Sequence, residues 1–273
     1  MKFEQIKKES QECFRRLTGI QRTTFDVIIT ILSEADALLK AQGGKPNKLT
    51  IEDRLLMTLE YLREYRTYFH ISRSYGISES ACYRNIRWVE DTLIKDGKFS
   101  LPGRKALLKS DVEYEVVLID ATETPIERPK KKQKHFYSGK KKRHTLKTQI
   151  IVDKNKKLVV CTSFSNGKRH DFRLFKKSGV HLHPEIRSLT DTGYQGIHKL
   201  HQNSALPKKK TKKNPLTKED KKKNRKLSSE RVLNENVIGM IKRFKIVADR
   251  YRNRRKRFGL RFNLIVGIYN YEL

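Results

Sequence analysis

The chain has 273 residues, 36 % of them hydrophobic, with 12 Phe and 11 Tyr, enough for one large domain or two modest ones with cores of their own. Lys and Arg number 62 against 30 Asp and Glu, a formal net charge of +32 whose self-repulsion calls for a polyanionic partner, nucleic acid first. No apolar run approaches the roughly 18 residues of a membrane span and the N-terminus lacks a signal-peptide core, which argues against a membrane partner and for a cytoplasmic, nucleoid-associated protein. Cys13, Cys82 and Cys161 are too few and too scattered for a disulfide framework or a Cys-based zinc site, and read as small core residues.

From Lys2 to Lys40 the apolar spacing predicts two helices, one using Ile6, Cys13, Phe14 and Leu17, the other Val27, Ile28, Ile31, Leu32, Ala35 and Leu38. Gly19 separates them, and Thr23 or Thr24 is the expected cap of the second. The run from Ala41 to Pro46 breaks the pattern. Thr50 and Asp53 then form a capping-box pattern ahead of Leu55, Leu59 and Leu62, on a helix running to about Tyr65. A short helix from Tyr68 to Tyr75 follows, Gly76 supplies a left-handed turn, and Ser78 caps a helix whose Cys82, Ile86, Val89 and Leu93 make one stripe. Helix, Gly-centred turn, amphipathic helix over about residues 50–93 is a helix-turn-helix pattern. Opposite the stripe stand Ser80, Arg84 and Arg87, residue types that read base edges and phosphates; an ordinary helical hairpin with a solvated face has the same pattern, and the charge of the chain tips the reading towards DNA.

The polar, Pro/Gly-containing stretch from Asp96 to Asp111 is the expected domain boundary, giving a helical DNA-binding domain over 1–98 and a second domain over 99–273. The pattern then turns to strands. Glu115 to Asp120 is a short apolar strand ending on an acid, Thr148 to Asp153 and Lys157 to Phe164 are two strands joined at Lys154-Asn155, and Ile186 to Asp191 is another strand ending on an acid. Asp171 is read as an N-cap of a helix through Phe175, and a further helix is expected from Tyr194 to Gln202. Residues 207–226 form a basic tract with eleven Lys or Arg from Lys208 to Lys226, read as a flexible solvated loop. The last pattern, Ser228 to Ala248, is helical, with Leu233, Val237, Ile241, Phe244 and Ala248 on one face and Arg231, Glu235 and Lys242 on the other. The expected fold class is α/β, a mixed sheet covered by helices behind an all-α domain.

Carboxylates at the ends of separate elements can converge on hard divalent cations, and Asp120, Asp191 and Glu235 are the candidates. Two ions held by such a trio activate an attacking oxygen and stabilise a leaving oxygen of a phosphodiester. Spacing alone leaves open the alternative that these acids face solvent. The blocks VLIDATETPIERP, YSGKKKRHTLK, LTDTGYQG and SERVLNENVIGMIKRFKI, in that order behind a helix-turn-helix, resemble the DDE transposases of small bacterial insertion sequences over about Phe14 to Tyr271. The resemblance implies an RNase H-like catalytic domain with Asp120 ending its first strand, Asp191 ending its fourth and Glu235 on a later helix. It also implies Mg²⁺ or Mn²⁺, two ions, no organic cofactor, and double-stranded DNA at element ends and target as substrate, with a homodimer on DNA by analogy.

In one large subgroup the last block reads Tyr, two residues, Arg, three residues, Glu, six residues, Lys. Arg231, Glu235 and Lys242 fit that spacing, whereas Ser228 holds the Tyr position. Arg231 and Lys242 would hold phosphates and keep Glu235 ionised. Glu230 falls near the apolar stripe and is read as a first-turn acid. Lys140, His144 and Lys147 in the GKKKRHTLK block are solvated charges by default and DNA-backbone contacts by the resemblance; Arg252 to Arg257 reads as phosphate contact or solvated helix end. His170 beside Asp171, and His181 with His183, are weighed as metal ligands and set below capping and loop roles. A DNA-binding regulator or domesticated transposase relic that does not cut, and an RNA-binding protein, are the alternative functions.

Overall fold

The computed structural model describes residues 2–43, 45–109, 113–211 and 215–273, so Gly44, Asp111 and residues 212–214 of the basic tract lie outside the described residues. In chain order the helices and strands are α1 (Phe3–Ile6), α2 (Gln11–Thr18), α3 (Arg22–Ala41), α4 (Ile51–Arg63), α5 (Tyr68–Tyr75), α6 (Glu79–Asp96), β1 (Val116–Pro125), α7 (Gln133–Phe136), β2 (Tyr137–Ser138) and β3 (Arg143–Asp153). They continue with β4 (Val159–Asn166), α8 (Asp171–Ser178), β5 (Arg187–Thr190), β6 (Ser204–Ala205), α9 (Lys218–Ile241), α10 (Lys245–Ala248) and α11 (Phe258–Tyr271). No helix among the described residues is long and apolar enough to cross a membrane.

The chain divides into two compact units. The first comprises residues 1–100 together with 241–249 and 253–272; the second comprises 101–240, 250–252 and Leu273. The composition shift near residue 98 predicts that everything after it belongs to the second domain, but α10 and α11 cluster with the N-terminal helices. The reason is visible in α11, FGLRFNLIVGIYNY, which is apolar on all sides and needs partners all round. Phe258, Phe262, Leu264, Ile265, Val266 and Ile268 are all buried, and Arg261 is buried against Glu90 of α6, donating from Nε at 2.6 Å. Arg257 donates to the same carboxylate and to Asp91 at 2.7 Å, so the last residue of the 252–257 charge run is bound within its own unit.

The N-terminal helices are cut where the local chemistry allows. Ser10 caps α2 by accepting from the Cys13 N–H at 3.2 Å, dividing the expected first helix into α1 and α2. Gly19 ends α2 at φ 86°, and the N-cap of α3 is Gln21, which makes no side-chain cap bond, rather than Thr23 or Thr24, both of which lie inside the helix. The helix-turn-helix follows its signals closely. Thr50 accepts from the Asp53 N–H to start α4, Gly76 turns the chain at φ 67° after α5, and Ser78 accepts from the Ala81 N–H at 3.2 Å to start α6. Ile86, Val89 and Leu93 of α6 are buried, each contributing about 1.5–3 kcal/mol.

The second unit is built on a six-stranded sheet with the path β2-β3-β1-β5-β6 and β4 on β3. β1 runs antiparallel to β3 and parallel to β5, β5 parallel to β6, and β3–β4 is an antiparallel hairpin turning at residues 154–156. Val117, Ile119, Ile151, Val160 and Cys161 form one packed face with Phe175 of α8 and with Ile186, Tyr194 and Ile197. The expected helix from Tyr194 to Gln202 is two separate 3₁₀ turns, Thr192–Tyr194 and Ile197–Lys199, because Gly196 between them sits at φ 93°.

The largest departure is at the end of the basic tract. Residues 218–226 are helical and begin α9, which is started by a reciprocal cap: Thr217 Oγ1 accepts from the Asp220 N–H at 3.1 Å and Asp220 accepts from the Thr217 N–H at 3.1 Å. Lys208 Nζ donates to Asp220 at 2.6 Å and Asn224 bonds the Lys208 backbone in both directions, tying the tract to the helix. At its other end α9 stops at Ile241, so Phe244 and Ala248 belong to a turn and to α10 rather than to one continuous helix from Ser228.

Candidate active site and DNA-reading helix

β1 does not stop at Asp120; it continues to Pro125, paired throughout with β3. Its parallel pairing with β5 does stop, at Ile119 opposite Thr190, so Asp120 and Asp191 are the next residues along two adjacent parallel strands. That register places the two carboxylates side by side at the sheet's open carboxyl end. Asp191 turns the chain by accepting from the Gly193 N–H at 2.8 Å, and Asp120 accepts from the Ala121 N–H at 2.7 Å. Burial pushes the Asp120 carboxyl up to about 6; the Ala121 N–H opposes this, the Asp191 and Asp171 charges add to it, and Arg231 opposes it. Arg231 of α9 reaches Asp120 with Nη2 at 3.9 Å from Oδ2.

A third acid converges here from α8. A methyl placed on Gly193 would lie 2.8 Å from Asp191 Oδ1 and 2.9 Å from Asp171 Oδ2, so both carboxylates close on the same glycine. Asp171 is not the N-cap; His170 holds that position, and Asp171 stands in the first turn with its carboxylate accepting from Lys147 Nζ at 2.7 Å. Lys147 is buried, donates also to the Arg169 carbonyl at 2.7 Å, and lies 3.6 Å from Glu123, which in turn accepts from Thr145 Oγ1. Expected on the surface as a DNA contact, Lys147 is instead an internal cation holding two acids.

Glu235 is exposed on α9, one turn beyond Arg231, and among the described residues no group of three or more His, Cys, Asp or Glu is close enough to hold a metal ion. The structure thus brings Asp120 and Asp191 together and leaves Glu235 outside them. The donor chemistry of the pair fits a hard divalent cation: two adjacent carboxylates, one half-buried and held back from ionisation, whose repulsion such an ion would relieve. Next to Glu235, Asn234 is buried with its Oδ1 lacking a hydrogen-bond partner. Glu230 pairs with Lys154 at 2.7 Å, which holds its carboxyl below the usual range. Ser228 is exposed, and Lys242 follows the end of α9 in a turn.

In the helical unit Ser80 and Arg84 are exposed on α6. Arg87 is half-buried, lying over Tyr83 and 3.6 Å from Asp91. In the sheet unit Lys140 is exposed and His144 half-buried at the start of β3. The Lys147–Asp171 pair is not among the sequence expectations, although the alternation of β3 carries its signal: Lys147 shares a strand face with the core residue Ile151.

Two family models match this chain. Residues 119–270 match the DDE superfamily endonuclease and residues 47–99 the helix-turn-helix of DDE superfamily endonuclease. The chain is 47 % identical over 273 residues to the "Probable transposase for insertion sequence element IS702" of Microchaete diplosiphon, covering 100 % of this chain and 99 % of that one. A second relative, the "Putative transposase for insertion sequence element IS112" of Streptomyces albus G, is 27 % identical over 185 residues, 66 % of this chain and 65 % of that one. No solved structure matches. The chain therefore belongs to the DDE superfamily of endonucleases. Within it, the full-length relative places the chain among the transposases of insertion sequences.

Proposed function

We propose that the chain recognises the ends of its insertion sequence through α4–α6 and cuts and rejoins DNA at a site built on Asp120 and Asp191, with Glu235 as third carboxylate. The observation that carries this is the adjacency of Asp120 and Asp191 on neighbouring parallel strands in a DDE superfamily chain. The sheet is read as RNase H-like, supported by a parallel β1/β5 pair with the antiparallel β3 and β4 on one side and β6 on the other. Bound at these carboxylates, Mg²⁺ or Mn²⁺ would activate an attacking oxygen and neutralise the leaving one. Asp120 and Asp191 would hold the ions, joined by the exposed Glu235 only if α9 shifts towards them on binding, Arg231 would keep Asp120 ionised and meet a phosphate oxygen, and Lys242 would serve phosphate as well. Ser80, Arg84 and Arg87 would face the major groove, with Lys140 and His144 on the backbone. Two ends cut in one event would use a homodimer on nucleoid DNA in the cytoplasm.

The test is nicking of a supercoiled plasmid carrying the element with its flanks, with Mg²⁺ or EDTA. Parent protein should nick with Mg²⁺ alone, and Asp120→Asn, Asp191→Asn and Glu235→Gln should bind the DNA and not nick it. Equal nicking by the parent and Glu235→Gln would remove Glu235 from the site. DNA binding without nicking by the parent would make the chain a DNA-binding regulator.

A further inference from the structure

Six residues along β3 from the level of Asp120, the second unit has a cavity of about 710 Å³ lined by Arg128, Gln133, Lys134, Tyr137, His144 and Lys168. Its walls come from three segments fixed to one another. Tyr137 of β2 pairs with His144 of β3, the Lys168 N–H donates to the His135 carbonyl at 3.3 Å, and the Gly167 N–H donates to the Thr145 carbonyl at 2.9 Å. Gly167 is packed so closely that a methyl there would lie 2.9 Å from both the Phe136 and Thr145 carbonyl oxygens. The cavity is thus a built feature of the fold.

Its chemistry is one-sided. Three cations, Arg128, Lys134 and Lys168, stand around it and none of its lining residues is an acid. Tyr137 is 43 % exposed and meets His144 edge to face, with ring centroids 5.7 Å apart, which leaves the tyrosine ring available to a flat ligand. The volume lies within the roughly 300–1,000 Å³ of small-ligand sites. Cations select phosphate and an open aromatic ring selects a base, but the faces of bases in a duplex are already stacked. A ligand that satisfies both is a nucleotide out of the double helix.

The strand geometry connects the cavity to the acids. Asp120 is paired with Ile150, and His144, Leu146, Thr148 and Ile150 alternate onto one face of β3, so His144 and Asp120 lie on the same face of the sheet. Six residues of strand separate their levels, about 20 Å, or about six nucleotides of a B-form strand at about 3.4 Å each. We propose that this cavity captures one unpaired nucleotide of the DNA strand that runs to Asp120 and Asp191, its base on Tyr137 and its phosphates on Arg128, Lys134 and Lys168. The proposal rests on the DNA-cutting reading and adds a site for unstacked DNA to it.

The experiment uses the full chain and two fluorescein-labelled probes at one salt concentration, a 20-nucleotide oligo(dT) and a 20-base-pair duplex, read by anisotropy. Tyr137→Ala should weaken oligo(dT) binding about tenfold, within what one base–aromatic stack contributes, and leave duplex binding unchanged. Tyr137→Phe should bind oligo(dT) as the parent does, and Lys168→Glu, a change at an exposed residue, should weaken it as well. Unaltered oligo(dT) binding by both Tyr137→Ala and Lys168→Glu, with duplex binding intact, would overturn the proposal. Preference for oligo(rU), or displacement of oligo(dT) by millimolar dTMP, would overturn the assignment to a DNA strand. A parent protein that binds neither DNA would overturn the DNA-cutting reading and the cavity's role together.

Discussion

Asp120 shows how one residue carries the opposition between folding and function. Its folded carboxyl titrates at about 6 against an ordinary 3.8, because burial disfavours the charge and Asp191 and Asp171 repel it. A raised value means that the folded chain binds this proton more tightly than the unfolded chain does. Its favourable contribution is therefore complete below about pH 4 and is lost as the pH rises through about 6. The whole difference between the two limits is at most about 3 kcal/mol. Asp120→Asn should accordingly melt higher than the parent at pH 7.5 in EDTA, with the difference vanishing near pH 4. Adding Mg²⁺ at pH 7.5 should raise the parent's melting temperature and leave that of Asp120→Asn nearly unmoved. A variant that melts at or below the parent at pH 7.5 would show that the Asp120 charge carries no such cost.

At the scale of elements, Lys147 is the tie between β3 and the start of α8. Lys147→Met leaves Asp171 and Glu123 without their shared cation and should destabilise the protein by about 3 kcal/mol, the usual loss on removing one partner of a buried ion pair. Lys140→Met, on the surface, should stay within about 0.5 kcal/mol, and urea denaturation of the two variants separates the cases. The sequence shows both lysines in one basic block, and the block's charge hides the strand alternation that divides them. Elsewhere local signals sufficed. Gly76 and Ser78 mark the turn and cap of the helix-turn-helix because each acts within its own few residues, and the apolar runs before Asp120 and Asp191 mark two strands, though not their parallel pairing. What local signals miss is set by distant partners. Asp171 does not cap α8 but binds Lys147, His170 holding the N-cap position without a side-chain bond, and α9 extends back into the basic tract because Thr217 and Asp220 cap it while Lys208 folds onto Asp220. The Thr217-to-Asp220 spacing is a capping signal that the abundance of lysine around it obscures. No spacing rule tells that Glu235 stands apart from the two aspartates, since that depends on how α9 lies on the sheet.

At the scale of the whole molecule, the helical unit is made from both ends of the chain. Glu90 of α6 is fully buried, and its partners Arg257 and Arg261 come from the C-terminal segment. Gly267 of α11 comes so near Phe99 that a methyl on it would lie 1.7 Å from the Phe99 carbonyl oxygen, a contact only glycine permits. A fragment of residues 1–100 has α6 with Glu90 stripped of both arginines and its apolar surface uncovered. Circular dichroism should find that fragment largely unfolded or aggregated, while the full chain melts cooperatively. A fragment as helical and as cooperative as the intact unit would show that α11 is dispensable.

This interleaving has a consequence for the gene. During synthesis the helical unit lacks α10 and α11 until residues 101–240 of the sheet unit have been translated. A stop codon upstream of Arg257 would leave Glu90 of α6 without Arg257 and Arg261, so the truncated product should not fold its helical unit.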